Sequence, residues 1–156
     1  MQQRLDYRTA APRAYKALLG VEAYIQKSGL EISLIELVRT RASQINGCTW
    51  CLEMHTRDAR AQGETEQRLY LLAAWREAHC YTGRERAALA WTEAVTQIGN
   101  AHGVPDAVYE EARRHFSEQE LIDLTMVIVS INSWNRMNVA FQLEVRDYVS
   151  PHGANG

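Results

Sequence analysis

Apolar residues recur along this chain at intervals of three and four, and no convincing run of strand-like alternation interrupts them. Pro12 suits the first turn of a helix carrying Tyr15, Leu18, Leu19, Val21 and Ile25, with Ser28-Gly29 as its stop. Ser33-Leu34-Ile35-Glu36 has capping-box spacing and predicts a second helix to Ile45, ended by Asn46-Gly47. A third runs from about Cys48 to Gln62, with Gly63 after it. Thr65 is expected to cap a helix rich in Leu69, Leu71, Leu72, Ala73 and Trp75. Two further boxes, Thr82 to Glu85 and Ser117 to Glu120, open a helix ending near Gly99-Asn100 and a long one from roughly Glu118 to Glu144. Pro105 starts a short helix to Phe116 between them, and the tail Pro151 to Gly156 is expected to fray. The pattern predicts an all-α fold of about seven helices, with short connections that favour antiparallel neighbours.

The long last helix is apolar on more than one face, from Leu121 to Ile131 and again at Met137, Val139 and Phe141. Such a helix is either the centre of a core or shared with another subunit, and in so small a protein an oligomer interface is the expectation. At 156 residues the chain fits a single domain, 1–156, with its core from about 15 to 141. A formal net charge of −2 gives no reason to expect nucleic acid or an anionic membrane as partner. The short pairs Arg84/Arg86 and Arg113/Arg114 are interrupted by acids and read as solvated helix faces. Met1 to Ala14 has no apolar core of a signal peptide, and Leu124 to Ile131 is too short to span a bilayer, so the expected address is cytoplasmic. In that reducing compartment a C-x-x-C pair is catalytic or metal-binding rather than structural.

Such a pair is present. Cys48-Thr49-Trp50-Cys51, followed by His55, places two thiols and an imidazole on one face of a helix that starts near Cys48. Two cysteines so spaced can cycle between dithiol and disulfide. The helix N-terminus favours a thiolate at Cys48, whereas His55 can take the proton of Cys51, so these two arguments nominate different attacking sulfurs. Glu36 lies on the preceding helix, where it either closes the Ser33 capping box or faces the thiols as a second proton station. Asp58 belongs to a solvated face or orients His55. A zinc site built on Cys48, Cys51 and His55 lacks a second C-x-x-C, with only His79-Cys80 to add. Leu52 after Cys51 excludes the c-type haem motif, and no βαβ pattern supports a thioredoxin-like reading. Cys80 reads as a buried or inert thiol, and Trp75, Trp91 and Trp134 as core or interface. His102, His115 and His152 carry no partner pattern.

The constellation is Glu36, eleven residues, Cys48-x-x-Cys51, three residues, His55. It resembles the AhpD-like alkylhydroperoxidase branch of the carboxymuconolactone decarboxylase superfamily. The matching text includes Glu36-Leu37-Val38-Arg39, Ser43 to Cys51, Met54-His55 and Asp58-Ala59. Leu72 to Glu77, Glu85 to Trp91 and Ile131 to Arg136 extend it, so that it covers about Tyr15 to Phe141. The decarboxylase branch lacks the cysteine pair.

The resemblance implies an all-helical protomer of a homotrimer or homohexamer that reduces hydroperoxides without metal, flavin or other cofactor. On that model Cys51 takes the peroxide oxygen, Cys48 resolves the sulfenic acid to a disulfide, and Glu36 and His55 relay protons. A lipoyl-type or similar dithiol donor then reduces the disulfide. The alternative on the same fold is a redox-sensing oligomer or a thiol–disulfide exchange protein. One position departs from the pattern: Trp50 stands where the best-known peroxidase members carry a histidine, so it walls the site or shapes a pocket instead of moving protons.

Overall fold

In the computed structural model, residues 2–100, 103–145 and 148–152 are described, and among these every regular element is helical. Eight α-helices follow in order: α1 (Tyr7–Ala10), α2 (Pro12–Ile25), α3 (Ile32–Asn46), α4 (Thr49–Ala61), α5 (Glu66–Leu71), α6 (Gly83–Thr96), α7 (Asp106–His115) and α8 (Glu118–Ala140). The single turn α1, capped by the Asp6 side chain, is too short to show periodicity and was not anticipated. Pro12 opens α2 as expected, and Thr65, Thr82 and Ser117 are N-caps, the last two with both bonds of the capping box. His102 and residues 153–156 of the expected frayed tail lie outside the described residues.

Three boundaries differ from the periodic reading. The helix after Thr65 stops at Leu71 and continues only as a 3₁₀ turn, Leu72–Ala74. The last helix ends at Ala140, not Glu144, because Gln142 takes a left-handed conformation with φ 51°. The Ser33 capping box does not form: α3 begins two residues earlier, with Glu31 at its N-cap and no side-chain cap. Glu36 is thereby released from the helix end to bond elsewhere.

The helix buried on all sides is α3 rather than α8. Leu34, Ile35, Glu36, Leu37 and Val38 are consecutive and all buried, which no amphipathic helix on a surface permits. It packs against α4, α6 and α8, while α2 lies on α8 and α7 on α6. The largest apolar cluster joins Leu34, Ile35 and Val38 to Ala88 and Trp91 of α6 and to Leu124, Val127 and Ile128 of α8. A smaller one gathers Ala42, Ile131, Cys48 and Cys51, with Trp50 against it. Trp75 and Trp91 are buried, as expected, and Trp134 is half-buried.

Inside α3, the Thr40 hydroxyl is fully buried and is, among the described residues, the one buried side-chain polar atom without a hydrogen-bond partner. A hydroxyl desolvated without compensation is destabilising. Thr40→Val should therefore raise the unfolding free energy by about 1 kcal/mol, read from the urea midpoint at unchanged m-value. A lowered midpoint would mean that the hydroxyl has a partner in solution.

Candidate active site

A tight turn delivers the cysteines. Gly47 ends α3 with φ 65°, a conformation that strains any residue with a Cβ. The Cys48 N–H then reaches back to the Ser43 carbonyl at 3.1 Å, a Schellman closure. Cys48 is left in extended backbone as the N-cap of α4, its Sγ accepting the Cys51 N–H at 3.3 Å. Helical spacing carries Cys51 round to the same side, and the two form a disulfide with Cα atoms 5.4 Å apart. Both are buried.

One turn on, His55 faces α3, and its Nδ1 lies 2.8 Å from Oε2 of Glu36. Both side chains are buried. Arg39, one turn from Glu36 on the same helix, donates to Glu36 Oε1 at 3.1 Å and reaches across to Glu22 of α2. Glu22 in turn accepts from Ser130 and, at 2.9 Å, from the Trp134 indole, both on α8. Burial pushes the Glu36 carboxyl up, but the hydrogen bond and charge of His55, together with Arg39, outweigh it and hold the pKa below the ordinary 4.5. With Glu36 ionised, Nδ1 is the donor, and Nε2 is the nitrogen left to take or give a proton. The carboxylate thus fixes the tautomer and orientation of a buried imidazole one turn from Cys51.

Asp58 is not on a solvated face. It is buried on the inner side of α4, and its carboxylate, His55 and Glu36 offer atoms that all lie within 4.8 Å of one another. Tyr148 donates its phenol to both Asp58 oxygens, at 3.0 and 3.1 Å. Burial, that bond and the negative charges of Asp58 and Glu36 push the phenol's pKa up, so Tyr148 stays a donor. The three residues have the donor types of a metal site, but Glu36 and His55 bond each other, Asp58 accepts from Tyr148, and Arg39 already supplies the positive charge at Glu36. The zinc arrangement through Cys48, Cys51 and His55 is not the one assembled, because both sulfurs are spent in the disulfide.

Trp50 forms a wall. It borders a cavity of about 310 Å³ with Arg8 and Tyr148, and a second of about 500 Å³ with Cys48 and Asn138. The Arg8 guanidinium sits 5.6 Å from its ring centre and the Tyr148 ring 6.4 Å. Cys80 is a half-buried free thiol away from this cluster, and His115 is bonded to Glu111 on α7.

Four participants escaped the sequence reading: Arg39, Tyr148, Asn138 and Tyr7. Asn138 of α8 donates Nδ2–H to Cys51 Sγ at 3.3 Å, and Tyr7 donates to Asn138 Oδ1 at 2.6 Å. The available signal was the spacing of polar residues in an apolar helix. Asp123, Ser130, Asn132, Asn135 and Asn138 are all buried on α8, whereas a surface helix turns such residues outward.

These features define a small all-helical protein whose chemistry sits on a helix-borne cysteine pair beside a buried carboxylate–histidine couple. Residues 9–94, which include Glu36, both cysteines and His55, match the model of the carboxymuconolactone decarboxylase family. The chain belongs to that family, in its AhpD-like group. It is 44% identical over 140 residues to the uncharacterized protein YdfG of Bacillus subtilis strain 168, covering 90% of this chain and 95% of YdfG. The solved Agrobacterium tumefaciens protein of unknown function ATU0492, a candidate AhpD antioxidant defence protein, superposes with a TM-score of 0.90. That match is 42% identical and covers 94% of this chain and 100% of the other. The debrominase Bmp8 shares the fold at a TM-score of 0.79 and 21% identity, over 89% of this chain and 74% of its own.

A carboxylate whose folded pKa is depressed contributes stability above its ordinary value and loses it as pH falls through the folded value. The Glu36→Gln variant should therefore melt below wild type at neutral pH, and the gap should narrow on acidification below 4.5. Calorimetry from neutrality down to about pH 3 tests this, and a gap constant with pH would deny Glu36 its charge in the fold.

Proposed function

We propose that this protein is an alkylhydroperoxidase-type oxidoreductase working through a Cys48–Cys51 dithiol/disulfide cycle. The observation that carries it is the buried Glu36–His55 pair, 2.8 Å apart, on the helix hairpin that bears both sulfurs. A structural disulfide has no need of a buried base and its orienting carboxylate; a dithiol that must ionise and re-protonate each turn does. The association of the Agrobacterium relative with antioxidant defence supports the same reading. The fold alone does not choose the substrate, since a debrominase shares it.

In the reduced protein His55, through Nε2 and bridging water, takes the Cys51 proton. The Cys51 thiolate attacks the terminal oxygen of a hydroperoxide; the O–O bond breaks, and the departing alkoxide leaves as alcohol with the proton held on His55. Cys51 is then a sulfenic acid. Cys48, favoured as thiolate by its place at the start of α4, attacks that sulfur. The S–S bond forms, the S–O bond breaks, and hydroxide takes up a proton to leave as water. A lipoyl-type dithiol donor returns two electrons and two protons by exchange. Trp50 and Tyr148 close the site from water, while Arg39 keeps Glu36 ionised.

Exposed apolar side chains on α2 and α8, among them Leu19, Tyr24, Ile122 and Val129, support assembly through these helices into a trimer or hexamer. Sedimentation of the purified chain at micromolar concentration should show one of these species, and a stable monomer would exclude both.

The activity test is steady-state consumption of cumene hydroperoxide with dihydrolipoamide as reductant. Turnover should vanish in Cys51→Ser and Cys48→Ser and fall by about 10²–10⁴-fold in His55→Ala. A wild type that forms the disulfide under peroxide yet does not turn over would replace the peroxidase with a redox switch or exchange protein.

A further inference from the structure

The two sulfurs of the disulfide stand in different surroundings. Cys48 lines the cavity of about 500 Å³, between Trp50 and the Leu143 side of the chain. Cys51 is not in that wall. Its Sγ accepts the Asn138 amide from the α8 side at 3.3 Å. Asn138 lines the cavity too, so the residue that bonds Cys51 shares the wall in which Cys48 stands. Its orientation is fixed from behind: the Tyr7 hydroxyl donates to Oδ1 at 2.6 Å, which directs the two amide hydrogens away from Tyr7. Burial raises the Tyr7 pKa and keeps the phenol a donor. Asn138 and Tyr7 both fall outside residues 9–94, the segment shared with the family model.

Each sulfur accepts one hydrogen bond at 3.3 Å, Cys48 from the Cys51 N–H and Cys51 from the Asn138 amide, so access decides between them. Of the two, Cys48 lines the cavity, and the bond to the departing Cys51 strengthens as it becomes a thiolate. We propose that Asn138 is the leaving-group donor of this disulfide: a reducing thiolate enters the cavity and bonds to Cys48, and the electron pair of the S–S bond departs onto Cys51. The step rests on the dithiol cycle above and adds which sulfur the reductant meets; it holds for any oxidant that makes the disulfide. The reductant's sulfur joins Cys48 in a mixed disulfide as the Cys48–Cys51 bond breaks, leaving Cys51 as thiolate under the Asn138 amide. With a dithiol donor, the second thiolate then attacks the donor's own first sulfur and expels Cys48, so the donor leaves as its disulfide. Two electrons have passed to the protein, and the donor's two thiol protons end on Cys48 and Cys51. The same amide favours the Cys51 thiolate before each oxidation, so one contact serves both halves of the cycle.

The test uses the oxidised wild-type protein and glutathione, a monothiol that cannot complete the second step. After brief exposure and rapid alkylation with N-ethylmaleimide, tandem mass spectrometry of the peptide carrying both cysteines should place glutathione on Cys48 and maleimide on Cys51. Asn138→Ala should slow opening about tenfold, with Tyr7→Phe intermediate because the donor remains but is no longer aimed. In the Cys48→Ser background, loss of Asn138 should raise the Cys51 pKa, followed by thiolate absorbance, by about one unit. Glutathione on Cys51 overturns the inference while leaving the dithiol cycle intact. So does an Asn138→Ala protein with unchanged opening rate and unchanged Cys51 titration. A disulfide that no thiol opens overturns the inference and the cycle together.

Discussion

A carboxylate ionised in the protein interior must have its countercharge built into the fold, and Glu36, only 4% exposed, sets that demand. Two cationic or donor groups meet it: His55 across the helix hairpin, and Arg39 one turn along α3. Arg39 in turn needs a second acceptor, and Glu22 supplies it from α2. Glu22 is satisfied by Ser130 and Trp134 from α8. The packing of α2 and α8 around α3 is thus tied to one buried charge at the site. Removing a single member would leave a buried group unpaired, which costs far more than the pair itself contributes.

Most of the fold was legible because the punctuation of this chain is strong. Pro12, Thr65, Thr82 and Ser117 mark helix starts, and Gly47 and Gly63 mark helix ends, each by a local mechanism that tertiary packing has no reason to override. Where a local signal failed, a buried partner had outbid it. Ser33 and Glu36 have the spacing of a cap, yet Glu36 bonds His55 and Arg39, and α3 starts two residues earlier on Glu31. A solvent-exposed reciprocal cap is worth about 1 kcal/mol, less than hydrogen bonds between charged groups in the interior.

The cysteine pair and His55 were legible from helical registry, whereas spacing alone left Glu36 between a helix cap and the site, and only the family resemblance favoured the site. Asp58 was left open, Arg39 appeared only as a neighbour of Glu36, and Tyr148, Asn138 and Tyr7 were not legible. Asp58 lies on α4 at a position that spacing alone leaves open to solvent or to the core. The other three are brought in from distant parts of the chain: Tyr148 from beyond α8, Tyr7 from α1, Asn138 from the far turn of α8. No periodicity couples positions so far apart. What could have been read was the row of polar residues on α8, which makes sense only if that side of the helix is buried against polar partners. Asn46, for example, bonds both Asn132 and Asn135, and Asn135 bonds Ser43.

Trp50 shows how one residue redirects a site without touching its acid–base core. Its ring carries no group that titrates near neutrality, so on the cycle proposed above the proton traffic falls to His55 and Glu36. What it offers is a flat face, held by Arg8 on one side and Tyr148 on the other, at the border of both cavities. Tyr148 also grips Asp58 inside the site, so the wall and the proton groups share one side chain. On the dithiol cycle proposed above, the sulfurs are reached beside this aromatic face, while Glu36 and His55 bond each other on the α3–α4 hairpin.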